Sequence, residues 1–150
     1  MSAERTPRIR VGVLVRRADK ILLVCHRKGD RRYWMLPGGG LQWGETLAAC
    51  GEREVREETG LQIRAERLLY VTETIDPSGS RHILNLVMLG NYLSGSLRCP
   101  TEEIIETVEW FPVGDLRGTT LFPPIGPLLA EGLATGFPES TVHLGALWAD

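Results

Sequence analysis

Apolar and polar residues alternate with a period of two along much of this chain, and in one window the period lengthens to that of a helix. Successive side chains of a strand point to opposite faces, so each alternating stretch predicts a strand with a buried face. Ile9 to Arg16 predicts a first strand, Ala18-Asp19-Lys20 a turn, and Ile21 to Arg27 a second strand that closes a hairpin. A basic loop, Arg27 to Arg32, turns at Gly29-Asp30. It leads into a short strand, Tyr33 to Leu36, which delivers Pro37-Gly38-Gly39-Gly40. Gln62 to Ile75 predicts a long strand with a bend, and Asp76-Pro77-Ser78-Gly79 a turn. His82 to Leu93 is the most apolar run and predicts the central strand, ended by Ser94-Gly95. Glu103 to Phe111 predicts one more strand, followed by a helical turn near Val113 to Leu116. Pro123-Pro124 opens a second helix that runs to about Leu133, and Thr141 to Trp148 is a last strand or a docked tail. This order predicts the α/β class: a mixed β-sheet sandwiched between helices, an α/β/α sandwich.

The helical window is Thr46 to Thr59, rich in Ala, Leu, Glu and Arg. Thr46 follows a glycine turn, and Gly60 stands where a left-handed stop is expected. Glu54, Glu57 and Glu58 fall at i, i+3 and i+4, which makes their carboxylates neighbours on one face. Ala48, Glu52, Val55 and Thr59 line a different stripe, with Ala48 and Val55 the expected core contacts. Like charges at such spacing repel by about 0.2–0.5 kcal/mol per pair. A hard divalent cation reverses that sign, and Mg²⁺ suits oxygen ligands while leaving room for phosphate oxygens. Gly51 is the odd residue here. A mid-helix glycine costs about 1 kcal/mol relative to alanine, so it marks either a close approach by another segment or a tolerated defect.

Composition narrows the class without choosing the chemistry. The 150 residues suit one domain over 1–150, with 43% hydrophobic and 24% charged residues in ordinary globular balance. A net charge of −2 lacks the basic excess expected of a surface for a nucleic-acid polymer or a membrane. No apolar run is long enough to span a bilayer, and Met1 to Pro7 is polar, so the expected location is the cytoplasm. Cys25, Cys50 and Cys99 cannot all pair, and none forms a Cys-x-x-Cys spacing. They read as plain thiols in a reducing compartment.

The helix and the glycines before it together carry a resemblance. Gly39, Glu45, Arg53, Glu54, Val55, Glu57, Glu58, Gly60 and Leu61 fill every defined position of the Nudix box at its spacing, so the chain resembles the Nudix hydrolases. At average residue usage the match arises by chance on the order of once in 10⁹ start positions. The resemblance implies the Nudix fold and Mg²⁺-dependent cleavage of a nucleoside diphosphate linked to another group, with Mn²⁺ as the alternative cation. It implies Glu54, Glu57 and Glu58 as metal ligands, with Gly38 lending a carbonyl. Glu45 orients the site or binds metal through water, and Arg53 holds a box carboxylate in place. The family often adds a carboxylate from a loop past the central strand; Glu102, Glu103 and Glu106 are the candidates here, Glu103 first. Arg27, Arg31, Arg32 and Arg81 are candidates for the substrate's phosphates or ribose. Trp34, just upstream of the glycines, reads as core.

Two features bear on the substrate. Pro77 lies sixteen positions beyond Leu61, a spacing that resembles the family's ADP-ribose pyrophosphatases. Leu121-Phe122-Pro123-Pro124 resembles the segment opening the second helix of MutT-type enzymes, which read an oxidised guanine with an asparagine just after the prolines. Ile125 and Gly126 stand in that region and carry no side chain that can hydrogen-bond a base. ADP-ribose or a related nucleotide sugar is therefore the favoured substrate and an oxidised nucleoside triphosphate the alternative. A non-catalytic nucleotide sensor is the second alternative, although such a module would usually have lost box glutamates and this chain has lost none. Small relatives often pair, so the resemblance leaves a homodimer open.

Overall fold

The computed structural model describes residues 5–98 and 100–148; the Cys99 thiol, the outer part of the polar Met1 to Pro7 stretch and the last two residues lie outside the described residues. Eight strands form one mixed sheet. They are β1 (Arg8–Arg17), β2 (Lys20–Lys28), β3 (Arg31–Met35), β4 (Gly38–Gly40), β5 (Gln62–Ile75), β6 (His82–Ser94), β7 (Ile105–Pro112) and β8 (Val142–Ala146). The order along the main path is β3-β2-β1-β6-β5-β8, with β4 paired to β1 and β7 paired to β2. β1 runs parallel to β6 and β5 parallel to β8, while the remaining pairs are antiparallel. The apolar run His82 to Leu93 becomes β6, which lies between β1 and β5 as its composition predicts.

Helices cover both faces. α1 (Leu47–Thr59) puts Val55 into a cluster with Val13 and Val15, whereas α2 (Gly126–Thr135) puts Leu129 and Ala130 into a cluster with Leu14, Tyr70 and Val87. Consecutive residues of β1 thus serve opposite faces, and Val13, Leu14 and Val15 are all fully buried. A strand buried on both sides reads as a continuous apolar run rather than an alternating one. This is the α/β/α sandwich expected from the element order.

Three local details depart from the sequence reading. The basic loop is a two-residue turn, because Lys28 and Arg31 already pair across β2 and β3. The glycine run is a strand: Gly38, Gly39 and Gly40 oppose Gly12, Val11 and Arg10 of β1. The second helix starts at Gly126, after the prolines, because proline offers no N–H and Ile125 N instead donates to Pro123 O at 2.8 Å in a tight turn. At the other helix the expected caps are present. Thr46 accepts from Ala49 N, and Gly60 closes α1 with φ 83°.

Gly51 turns out to be a point of close approach. A Cβ placed there would lie 2.8 Å from Val13 Cγ2 on the buried strand β1. Gly51→Ala is expected to destabilise by about 1–3 kcal/mol, because overpacking against a fixed strand outweighs the gain in helix propensity. A denaturant titration checks it; a more stable variant would mean that Val13 yields freely.

Candidate active site

The site grows from the contact of β4 with α1. None of Gly38, Gly39 and Gly40 has a left-handed φ, so the run is not needed for unusual backbone angles. It supplies missing bulk. A Cβ on Gly38 would lie 2.0 Å from Val11 O, and one on Gly39 would lie 2.4 Å from the Glu54 carboxyl carbon. Side-chain-free backbone is thus pressed against β1 on one side and against a box carboxylate on the other.

Arg53 organises the carboxylates. Its Nε and Nη2 donate to the two oxygens of Glu45 at 2.7 and 2.9 Å, a bidentate pair. Its Nη1 donates to Glu54 Oε1 at 2.9 Å and to Glu57 Oε2 at 3.2 Å, and Nη2 also reaches Gly40 O at 3.2 Å. The hydrogen bonds from Arg53 hold the Glu45 carboxyl down at about 2, and the same pairing raises the Arg53 guanidinium. One planar cation therefore ties the loop before α1, the helix face and the glycine strand together.

Glu58 stands apart from this clamp. It is only 7% exposed, whereas the Glu57 side chain is 55% exposed. Its Oε2 is buried and has no hydrogen-bond partner. Burial pushes its carboxyl up to about 8; the Glu54 and Glu102 charges push the same way, and the Arg10 guanidinium and Gly38 amide push back. A buried, unpartnered carboxylate oxygen is costly unless something binds it. Hard oxygen donors with one orphaned oxygen fit a divalent cation of the Mg²⁺ type. Among the described residues no three ligand groups already stand close enough to enclose an ion. Arg53 holds Glu54 and Glu57.

A cleft of two adjoining lobes, which share four lining residues, begins beside the glycine strand. The proximal lobe, about 330 Å³, reaches Gly39 and Gly40 and carries Arg10, His26 and Asn85 in its wall. The distal lobe, about 440 Å³, reaches Arg31, Thr120 and Trp148. Lys28, Tyr33, Arg81 and Phe122 line both. Arg10 is a half-buried cation that donates to Leu36 O at 2.9 Å. His26 stacks on Tyr33 at 5.5 Å between ring centres, and burial lowers its imidazole to about 4, so it is neutral at pH 7. Asn85 donates to Thr72 and Thr74 at 3.2 and 2.9 Å, a polar knot in the buried sheet.

The residues expected from sequence fall into distinct places. Glu45, Arg53, Glu54 and Glu57 are joined directly, with Glu58 one turn along and Gly38 at its carboxyl. Past the central strand, the charge felt at Glu58 is that of Glu102. Glu103 is exposed in the turn before β7, and Glu106 binds Arg32 at 2.6 Å and Arg27 at 3.7 Å. Arg27 and Arg32 thus sit on Glu106, whereas Arg81 and Arg31 face the cleft. Pro77 lies in the Asp76–Gly79 turn, where Gly79 N donates to Asp76 O, and only Asp76 of that turn lines a lobe. Trp34 packs against the core and meets Phe111 edge-on. Arg10, His26 and Asn85 escaped the sequence reading. Asn85 carried a signal, a polar residue within the apolar run of β6, whereas Arg10 and His26 lie near charged residues, Arg8 in β1 and Arg27 in β2, and carried none.

Comparison with known proteins adds the lineage. The model of the NUDIX domain matches residues 6–131. The ADP-ribose pyrophosphatase of Methanocaldococcus jannaschii is 28% identical over 111 residues, 73% of this chain and 64% of that protein. The NAD-capped RNA hydrolase NudC of Vibrio atlanticus is 31% identical over 130 residues, 87% of this chain and 46% of that protein. The chain thus matches under two thirds of either relative's length. Among solved structures, a NUDIX hydrolase from Nitrosomonas europaea superposes with a TM-score of 0.74 at 25% identity, covering 87% of this chain and 90% of that one. No described helix is long and apolar enough to cross a membrane.

Proposed function

The chain belongs to the NUDIX domain family, and from that premise we propose that it is a Mg²⁺-dependent pyrophosphohydrolase of a nucleoside diphosphate linked to a second group, with ADP-ribose or a related nucleotide sugar as substrate. The observation that carries this reading is the orphaned Glu58 oxygen beside an Arg53-clamped set of carboxylates, next to a glycine strand and at one end of a ligand-sized cleft. Glu54, Glu57 and Glu58 would hold the cation, with the Gly38 carbonyl as a further donor. Mn²⁺ has the same hard-oxygen preference and is the alternative. Bound there, the cation would supply charge neutralisation on phosphate oxygens and a lowered pKa for water.

The chain's own residues do the rest. Arg53 sets the direction of Glu45 and Glu54 through fixed hydrogen bonds, the supporting role that ligand partners play around metals. Glu102, the acid whose charge reaches Glu58, is a better candidate than Glu103 for the extra carboxylate. Lys28, Arg31 and Arg81 bind the anionic parts of the substrate, and the neutral His26 ring with Tyr33 offers a flat wall. The ADP-ribose reading draws support from the Methanocaldococcus jannaschii relative's stated activity and from the lack of a base-reading side chain at Ile125 and Gly126. The NudC relative's stated substrate is a capped RNA, so a polymer end belongs in the substrate panel despite the chain's net charge of −2.

Incubation with Mg²⁺ and ADP-ribose is expected to yield AMP and ribose 5-phosphate, with activity lost on chelation and restored by added cation. Turnover of an oxidised dGTP with none of ADP-ribose would reverse the substrate assignment. Binding of ADP-ribose without any cleavage would instead identify a sensor.

A further inference from the structure

The family match ends at residue 131, yet the chain continues into β8 and on to Trp148. β8 pairs in parallel with β5, Tyr70 opposite Val142 and Glu73 opposite Ala146. Leu147 N then donates to Glu73 O at 2.9 Å, which fixes the backbone just before Trp148. The indole thereby arrives at the distal lobe of the cleft and meets Phe122 edge-on, 5.9 Å between centres at 88°. Phe122 in turn meets Tyr33 edge-on at 6.2 Å. Three aromatic side chains from three separate segments thus wall one half of the cleft.

The charges beside these rings point to an anionic ligand. Lys28 and Arg81 line both lobes and Arg31 the distal one, and none of the three forms an ion pair among the described residues. Arg27 and Arg32, on the same two strands, share the single carboxylate of Glu106. Among the described residues Asp76, whose charge Arg81 feels, is the one acid lining the distal lobe, against three cations. Lys28 and Arg81 where the two lobes meet, with the Trp148 ring beyond them, match a phosphate followed by a base. Resting on the nucleotide reading above, we infer that the distal lobe is a subsite for the nucleobase and that Trp148, brought in by the C-terminal strand, is a specificity-determining residue of that subsite. Trp148 makes the ring half of the substrate count in binding; the phosphate half is held at the glycine strand.

Calorimetric titration with AMP and with ribose 5-phosphate, in Mg²⁺, tests this without turnover. The wild-type protein is expected to bind AMP at least tenfold more tightly than ribose 5-phosphate. Trp148→Ala is expected to weaken AMP about tenfold and leave ribose 5-phosphate unchanged. Trp148→Phe keeps a stacking face and should hold AMP within about threefold of wild type. A thermal melt of each variant reports whether β8 remains docked. Equal losses for both ligands, unchanged AMP binding in Trp148→Ala, or no AMP binding by the wild type would each overturn the inference. Tight, Trp148-dependent AMP binding by a protein that fails to cleave ADP-ribose would defeat the hydrolase reading and leave this one standing.

Discussion

Glu58→Gln is expected to lower kcat by about 10²–10³-fold while the protein folds at least as well as before. The two halves of this result have different causes. Glutamine keeps the shape of the side chain but cannot carry the charge that a hard cation requires. In the metal-free protein that charge is a burden, since burial has already pushed the Glu58 carboxyl up to about 8. A folded-state value above the unfolded one, about 4.5, means that the native state binds the extra proton. Stability from this group is therefore complete below pH 4.5 and is lost as pH rises through about 8. The variant has no such proton to lose. Without metal, its melting temperature should equal or exceed that of the wild type at pH 9 and match it near pH 4. Added Mg²⁺ should raise the melting temperature of the wild type far more than that of the variant, since only the wild type presents the full ligand set. Glu58→Gln with unaltered kcat would remove Glu58 from the chemistry, whatever its stability.

Arg53→Ala is expected to damage activity and stability together. The guanidinium holds Glu45 by two bonds, Glu54 and Glu57 by one each, and the Gly40 carbonyl by another. The Arg53, Glu45 and Glu54 side chains are only 15%, 12% and 15% exposed. Removing the cation leaves carboxylates facing one another in a half-dry site with their partner gone. We expect kcat to fall by about 10²-fold, as for other groups that orient metal ligands, and the melting temperature to fall by about 5–10 °C. Arg53→Lys should recover little of either, because an ammonium cannot reproduce the planar fork that serves Glu45 on one side and Glu54 on the other. Full activity in Arg53→Lys would show that charge alone suffices and that the fork geometry is incidental. Steady-state kinetics with a parallel melt separates the two effects.

The site was legible in sequence to the extent that it is local. The i, i+3, i+4 spacing of Glu54, Glu57 and Glu58 is a property of one helix, as are the Thr46 and Gly60 caps, and the structure keeps them all. Which of the three glutamates is buried was not legible. Burial depends on β1 and β4 packing over the end of α1, and these lie more than a dozen residues away in the chain. The glycine run shows the same limit. Composition marked it as unusual, but the reason, Val11 O on one side and the Glu54 carboxyl on the other, exists only once three elements meet.

Charge partners were the least legible feature. Arg27, Arg31, Arg32 and Arg81 look alike as loop arginines, yet Glu106 takes two of them and leaves the other two at the cleft. Strand register decides this, since Arg27 opposes Arg32 across β2 and β3 while β7 carries Glu106 alongside.

By itself the sequence determined the element order, the apolar central strand of the sheet, and a helix that carries acid on one side. Short-range backbone preferences and side-chain periodicity are enough for those, because each involves residues within a few positions of one another. Tertiary structure alone decided that Glu58 is orphaned and Glu57 exposed, that Arg10, His26 and Asn85 share one wall, and that Trp148 returns from the far end of the chain to the cleft. Those outcomes depend on which distant segments exclude water from which atoms, and no local pattern encodes that.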